Sequence, residues 1–311
     1  FNLAGNKFVT STSIGCAFFP KDGHSVSELV KNADTAMYCA KAQGRNNYQY
    51  YSEDMREQAL TRSSLENDLR SVVENNELVL YYQPIVDLKT NQVIGFEALI
   101  RWIHPKLGLI MPDQFIPIAE ETGLIVGIGE WVLHNACKQL KEWHDEGKIV
   151  KIAVNLSARQ FLQHDLFNTV KTVLDHCQLE PYYLELEITE TMIMSNMQEA
   201  TQVLSKLQEL GVSISLDDFG TGYSSLTYLK QFPINVLKID RSFIKDILET
   251  HDDKVIVNSI IAIAEHMKIE IITEGIEQEK QADYLRNLGC QFGQGYFFAI
   301  PRIAEDCFKN F

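Results

Sequence analysis

From residue 77 onward the chain alternates short apolar runs with longer segments of helical period, and this alternation constrains the fold more than any other feature. LVLYYQPIVD (78–87), VIGFEALIRW (93–102), KIAVNLS (151–157), YLELEITE (183–190), SISL (213–216), VLKID (236–240), IEIITEG (269–275) and QFGQGYFF (291–298) read as strands. Helical patterns fill the intervals near 112–122, 128–146, 165–177, 196–210, 224–231, 241–267 and 279–288. Such alternation gives a largely parallel sheet covered by helices. Eight strands over this length match a (β/α)8 barrel. The turn around Asn91 is too short for a parallel crossover, so the first two strands should pair antiparallel, a departure from regular barrel order.

Polar residues collect late in these strands or just after them. Glu97 and Arg101 fall on the second strand, Asn155 on the third, Glu187 and Glu190 on the fourth. Asp217 and Asp218 follow the fifth, and a Gly-rich turn through Gly220 and Gly222 leads to a helix-like run at Ser224, Ser225 and Leu226. Lys238 and Asp240, Glu274 and Gln294 belong to the sixth, seventh and eighth. Barrel enzymes draw catalytic groups from the C-terminal ends of several strands. Acids and amides are poor occupants of apolar strands unless something pairs with them. Adjacent carboxylates such as Asp217 and Asp218 resist ionising together unless a cation neutralises them.

The donor set is hard oxygen, without His or Cys, which favours magnesium or manganese over zinc. Five or six converging carboxylates exceed the need of one divalent ion, so two ions are expected, the arrangement that clamps attacking and leaving oxygens in a phosphodiester displacement. Lys238 is the one ammonium among these acids, placed to hold a phosphate oxygen or the attacking water. Each residue also has a plain structural reading. The two aspartates could cap an Asp-rich turn, Glu97 could pair with Arg101, and Asn155 could cap the next helix. Lys238 could snorkel from an edge, Glu274 could be a turn acid, and Gln294 could satisfy a sheet end. Their conjunction at every strand end from the second to the eighth is harder to explain that way.

The net charge of -14 argues against a surface for DNA or RNA. The six Cys are scattered without a C-x-x-C pair, which points to reduced thiols in the cytoplasm. No signal peptide opens the chain and no apolar run reaches the length of a membrane span, so no membrane contact is expected, although an upstream segment could anchor a longer protein. Residues 8–19 read as a strand, followed by a helix capped by Ser27 and closed by Gly44, and by a short strand at 47–51. This unit is too small to bury a core alone. Residues 52–77 are rich in helix formers, with Leu65, Leu69, Val72 and Val73 on one face, and read as a linker helix.

TSIGCAFFPKDG (12–23) and KNADTAMYCAKAQGRNNYQYY (31–51) resemble the C-terminal end of a GGDEF domain, the fold of diguanylate cyclases. The family's signature turn would lie upstream of Phe1, so the chain is expected to be cut inside that domain and to lack cyclase activity. The rest resembles EAL domains, the cyclic di-GMP phosphodiesterases, through YYQPIVDL (81–88), GFEALIRW (95–102), FIPIAEETGLI (115–125), VNLSARQF (154–161), LELEITE (184–190), DDFGTGYSSL (217–226), LKIDRSFI (237–244), TEGIE (273–277) and QGYFF (294–298). The expected division is a GGDEF fragment at 1–51, a helical linker at 52–63 and an EAL domain at 64–311.

The resemblance implies an α/β fold, a modified (β/α)8 TIM-like barrel with one antiparallel strand, and hydrolysis of cyclic di-GMP to linear 5'-pGpG. It implies that Glu97, Asn155, Glu187 and Asp217 bind a first metal, and that Asp217 and Asp218 bind a second. Glu274 would act near the second metal or on its water, and Lys238 would hold the nucleophilic water or the phosphate. Gln83, Arg101, Asp240, Glu277 and Gln294 would contact substrate or line the site. Glu190 would anchor the loop after the aspartate pair and couple loop order to catalysis. Further implications are support by magnesium or manganese, inhibition by calcium, and a homodimer formed through the EAL domain. A catalytically silent cyclic di-GMP receptor or interaction module is the alternative, and such domains usually show gaps in this residue set, where this chain has none.

Overall fold

A computed structural model describes residues 2, 3, 6, 7, 10–44, 46–162, 165–195, 197–220, 229 and 232–309. The chain divides into two compact units, Phe1–Ser71 and Val72–Phe311. In the first, β1 (Ile14–Cys16) lies parallel to β2 (Tyr48–Tyr50), joined through α1 (Val26–Ala42). The cap of α1 is Ser25, not Ser27: the Ser25 hydroxyl accepts from the Glu28 amide at 3.2 Å, and Glu28 in turn accepts from the His24 amide. Serine followed three residues later by glutamate satisfies donors at both ends of the turn, which a cap two residues later cannot reproduce here. Helix α2 (Glu53–Leu69) lies against α1, with Arg62 over the Tyr38 ring.

The second unit is the barrel. Its strands are β3 (Leu78–Asp87), β4 (Val93–His104), β5 (Gly108–Ile110), β6 (Lys151–Asn155), β7 (Leu184–Thr189), β8 (Ser213–Phe219), β9 (Val236–Ile239), β10 (Glu270–Thr273) and β11 (Phe292–Gly293). Among the described residues, β3, β4 and β6 to β11 close into an eight-stranded barrel. All neighbours pair parallel except those of β3, which runs antiparallel to both β4 and β11. The tight turn at Asn91, whose φ is 56, returns the chain directly from β3 into β4 and so reverses one strand of the eight. The hairpin strand β5 outside the ring was not anticipated from the sequence, because three residues carry too little period to read.

Helices cover the outside. The longest, α3 (Ile125–Asp145), buries Leu133, Ala136, Cys137 and Leu140, the spacing of a single helical face. The expected helix at 241–267 is two, α4 (Arg241–Lys245) and α5 (His251–Met267). Inside the barrel, alternate residues of each strand share a face. On β7 the outward residues Leu184, Leu186 and Ile188 are buried, while the other face carries Glu185 and Glu187. The helix expected at 224–231, with Gly222, Ser224 and Ser225, lies outside the described residues.

Two glycines in this unit test how tightly it is packed. A Cβ on Gly295 would stand 2.1 Å from Ile276 O and 2.3 Å from Ile276 N, backbone atoms that cannot step aside. Gly127, in the first turn of α3, has nothing within 4 Å of that position. Gly295→Ala should therefore lose about 1–3 kcal/mol of stability, whereas Gly127→Ala should gain about 0.5–1 kcal/mol from helix propensity. Urea unfolding of the two variants measures both; equal effects would contradict the packing described.

Candidate active site

The C-terminal ends of the barrel strands converge on one lysine. Lys238 projects from β9 between the outward residues Leu237 and Ile239 and is fully buried. Its Nζ is 2.8 Å from Glu187 Oε1, 2.7 Å from Glu274 Oε1, 3.7 Å from Glu97 Oε2 and 3.8 Å from Asp217 Oδ1. Four carboxylates thus surround a single ammonium. Amides hold the outer side of the cluster: Asn155 Nδ2 donates to Glu97 Oε1 at 2.7 Å, and Gln294 Nε2 donates to Glu97 Oε2 at 2.6 Å and to Gln83 Oε1 at 3.0 Å. Gln83 is fixed in turn by donating to Ala299 O.

These contacts decide between the readings left open by the sequence. Asn155 does not cap the following helix; Ser157 does, in a capping box with Gln160. Glu97 is engaged by Asn155, Gln294 and Lys238, whereas Arg101 donates to Ile100 O and lies over the Tyr81 ring. Lys238 is an interior residue and does not snorkel. Asp240 accepts from the Ser242 amide and caps α4. Glu190 opens a helix, Glu190–Ser195, because β7 ends at Thr189. Strand alternation therefore does not set its direction relative to Glu187.

The aspartate pair is shaped by an irregularity. Neighbouring residues on a regular strand face opposite sides, yet Asp217 and Asp218 both line the same cleft. The register of β8 against β9 slips between Leu216 and Phe219, and Asp218 has φ 56. A bulge with one residue in the left-handed region turns Asp218 back toward Asp217. The Asp218 amide donates to Asp217 Oδ1 at 2.9 Å. Such a conformation is uncommon for any residue but Gly, and Asn and Asp tolerate it best.

Gln83, Glu97, Asp217, Asp218, Asp240, Glu274, Glu277 and Gln294 line one cleft of about 340 Å³. Asn155, Glu187 and Lys238 stand behind it, joined to its wall through Glu97 and Glu274. Arg101 and Glu190 are not among its lining residues. Sequence reasoning missed Arg241 and Tyr296, which do line it. Arg241 sits directly after the strand-end acid Asp240, so the rule that found Asp240 reaches it if extended by one residue. Gly275, with φ 70, lets the chain pass Arg241 closely; a Cβ there would be 2.4 Å from Arg241 Cβ.

The electrostatics are those of a crowded acid cluster. Burial opposes the charge of Lys238, but Glu187, Glu274, Glu97 and Asp217 overcome it and hold the ammonium well above its ordinary pKa. Burial and the neighbouring Glu97, opposed by Lys238, push Glu187 well above the usual carboxylate range. Burial, opposed by Lys238 and reinforced by Asp217 and Glu97, raises Glu274 to about 7. Burial and repulsion from Asp217 and Asp240 raise Asp218. Among the described residues, no three acid, His or Cys side chains stand grouped for a metal ion as placed, since the Lys238 ammonium occupies their midst. The donors nevertheless fit divalent ions. They are hard oxygens, and the four carboxylates around Lys238 outnumber its single positive charge.

The family model described as EAL domain matches residues 66–301, and the model for the diguanylate cyclase GGDEF domain matches residues 1–47. The chain is 45% identical over all 311 residues to the signaling protein YkoW of Bacillus subtilis (strain 168), covering 39% of that protein. It is 46% identical, over 98% of its length, to the bifunctional diguanylate cyclase/cyclic di-GMP phosphodiesterase MucR of Pseudomonas aeruginosa, covering 45% of it. The chain thus spans less than half the length of these curated relatives. The solved PaMucR phosphodiesterase in complex with c-di-GMP is 48% identical, with 78% of this chain and 99% of that chain covered and a TM-score of 0.76.

The raised Glu274 makes stability depend on pH in a defined sense. Its folded pKa, about 7, exceeds its ordinary 4.5, so the native state binds more protons between those values. The stability this contributes is complete below about pH 4.5 and is lost as pH rises through about 7. With a chelator present, the melting temperature of the wild type should fall across this window, and Glu274→Gln should flatten the fall by up to about 3 kcal/mol at pH 8. A variant with the wild-type pH slope would contradict the assignment.

Proposed function

The chain belongs to the EAL-domain family, and from that membership we propose that its barrel hydrolyses cyclic di-GMP to linear 5'-pGpG with two divalent ions, magnesium or manganese. The observation that carries this reading is the buried Lys238 among four carboxylates directly behind a cleft of about 340 Å³. Support comes also from MucR, whose name includes cyclic di-GMP phosphodiesterase activity and whose solved domain holds c-di-GMP. The described residues include the whole ligand set, Glu97, Asn155, Glu187, Asp217 and Asp218, so the gaps expected of a silent receptor are missing.

Glu97, Asn155, Glu187 and Asp217 would hold one ion, and Asp217 with Asp218 the other. When bound, the ions supply Lewis acidity toward a phosphate oxygen and a water. The chain's own groups do the rest. Glu274, on the cleft wall and paired with Lys238, would accept a proton from the attacking water. Lys238 Nζ, held protonated by its carboxylates, offsets charge on the phosphate or orients that water. Gln294 and Asn155 keep Glu97 in place through its two oxygens. Arg241 brings a guanidinium to the cleft wall, where the substrate's phosphates need a partner. Gln83, Asp240, Glu277 and Arg101 complete the substrate contacts, and Glu190 positions the segment that follows Phe219.

The proposal extends to organisation. Residues 1–51 are a GGDEF fragment, 52–63 a linker and 64–311 the EAL domain, which pairs with a second copy to form a homodimer. No described helix is long and apolar enough to cross a membrane.

Incubation with cyclic di-GMP and magnesium or manganese, followed by chromatography, should yield pGpG. Calcium should suppress it, because its longer bonds misplace the water. Glu97→Ala, Asp217→Ala and Asp218→Asn should each lower turnover at least about a hundredfold. Lys238→Ala should do the same with far less loss of metal affinity. Full activity in Asp218→Asn, or turnover in excess chelator, would overturn the mechanism; binding without turnover would identify a receptor.

A further inference from the structure

The opposite mouth of the barrel holds a second cavity that the catalytic reading does not use. It has a volume of about 320 Å³ and opens at the N-terminal ends of the parallel strands. Its floor is an apolar layer of inward residues, Ile85, Ala153, Val236 and Ile272, with Ile94 and Phe292 packed against them. Into this layer β7 places one carboxylate. Glu185 lies two residues before Glu187 on the same strand face, is 4% exposed and lines the cavity. Its Oε1 has no partner in hydrogen-bond geometry among the described residues, although Ser215, Lys151 and Lys238 lie close enough to act on its charge. Burial raises the Glu185 pKa and so favours its neutral form, and an ammonium beside it would hold it ionised.

We propose that this cavity is a binding site for a small organic cation, an ammonium carried on an apolar body, with the ammonium paired to Glu185 and the body against the isoleucine floor. The charge at the mouth favours a cation: Glu270 adds a second acid, and the one base, Lys151, is engaged over the Tyr182 ring at 4.3 Å. The walls exclude a bare divalent ion as the natural occupant, since that needs six or more oxygen donors and the lining offers few. They equally disfavour water alone, because the volume is that of about ten water molecules and most of the floor offers nothing to hydrogen-bond. A ligand with both an apolar and a cationic part satisfies both surfaces, as pockets of this size generally require. The site lies at the other end of the barrel from the cleft, so a small cation reaches it without passing the nucleotide.

The test uses the whole chain with isoleucine methyl labels and benzylammonium as probe. The methyls of Ile85, Ile94 and Ile272 should shift saturably, at millimolar concentration or below, with the cleft either empty or filled by cyclic di-GMP. Benzyl alcohol, equal in shape but uncharged, should bind at least tenfold more weakly. Glu185→Gln should lose the same factor while keeping the wild-type methyl spectrum elsewhere. Absence of a saturable shift, equal binding of the alcohol, or unchanged binding in Glu185→Gln would each overturn the proposal. Should Glu185→Gln fail to fold, the comparison of benzylammonium with benzyl alcohol in the wild type decides alone.

Discussion

The ion cluster around Lys238 is the interaction on which the rest of the barrel's C-terminal end depends. Four carboxylates from four strands meet in a space with little water. Without a cation they would repel one another and draw protons, and the strand ends would have no reason to converge. One ammonium, fully buried and within 4 Å of all four, makes the arrangement possible but leaves it short of positive charge. Buried ion pairs of this kind contribute little net stability. They are better understood as a site held ready for further cations, and the raised pKa values of Glu187 and Glu274 express the same deficit.

Two departures from ideal barrel geometry serve this site. The reversal of β3 brings Gln83 alongside Glu97 across an antiparallel pair, so that Gln294 can bridge them from the other neighbour of β3. The bulge at Asp217 and Asp218 presents two successive carboxylates to one cleft, which a regular strand cannot do. Both are local backbone decisions, made by a tight turn at Asn91 and a left-handed residue at Asp218. The strain of the second is the kind that persists where the surroundings over-determine it.

Much of this was legible in the sequence. Period-two strands separated by helical segments gave the barrel, and the short connection at Asn91 gave its antiparallel pair. The residues around Lys238 were identifiable because acids and amides stand where apolar strands should end apolar. What escaped was backbone detail and direction. The bulge was hidden because DD carries no sign of positive φ. Glu190 was placed on the fourth strand because a one-residue difference in where β7 ends is invisible to period counting. Glu185 was passed over because the pattern ELE puts both acids on one face without saying that they serve opposite ends of the barrel. Arg241 was missed because it lies just beyond the sixth strand, and Tyr296 because the eighth strand, read as 291–298, ends at Gly293.

We propose that Lys238 supplies part of the positive charge that the acid cluster requires, with divalent ions supplying the remainder. Thermal melting of Lys238→Met in chelator and in manganese tests this without reference to turnover. In chelator the variant should melt well below the wild type, by the equivalent of about 3 kcal/mol or more, because one cation has been taken from four buried acids. Manganese should restore most of the difference. A variant as stable as the wild type in chelator, or one that manganese leaves unchanged, would contradict the account.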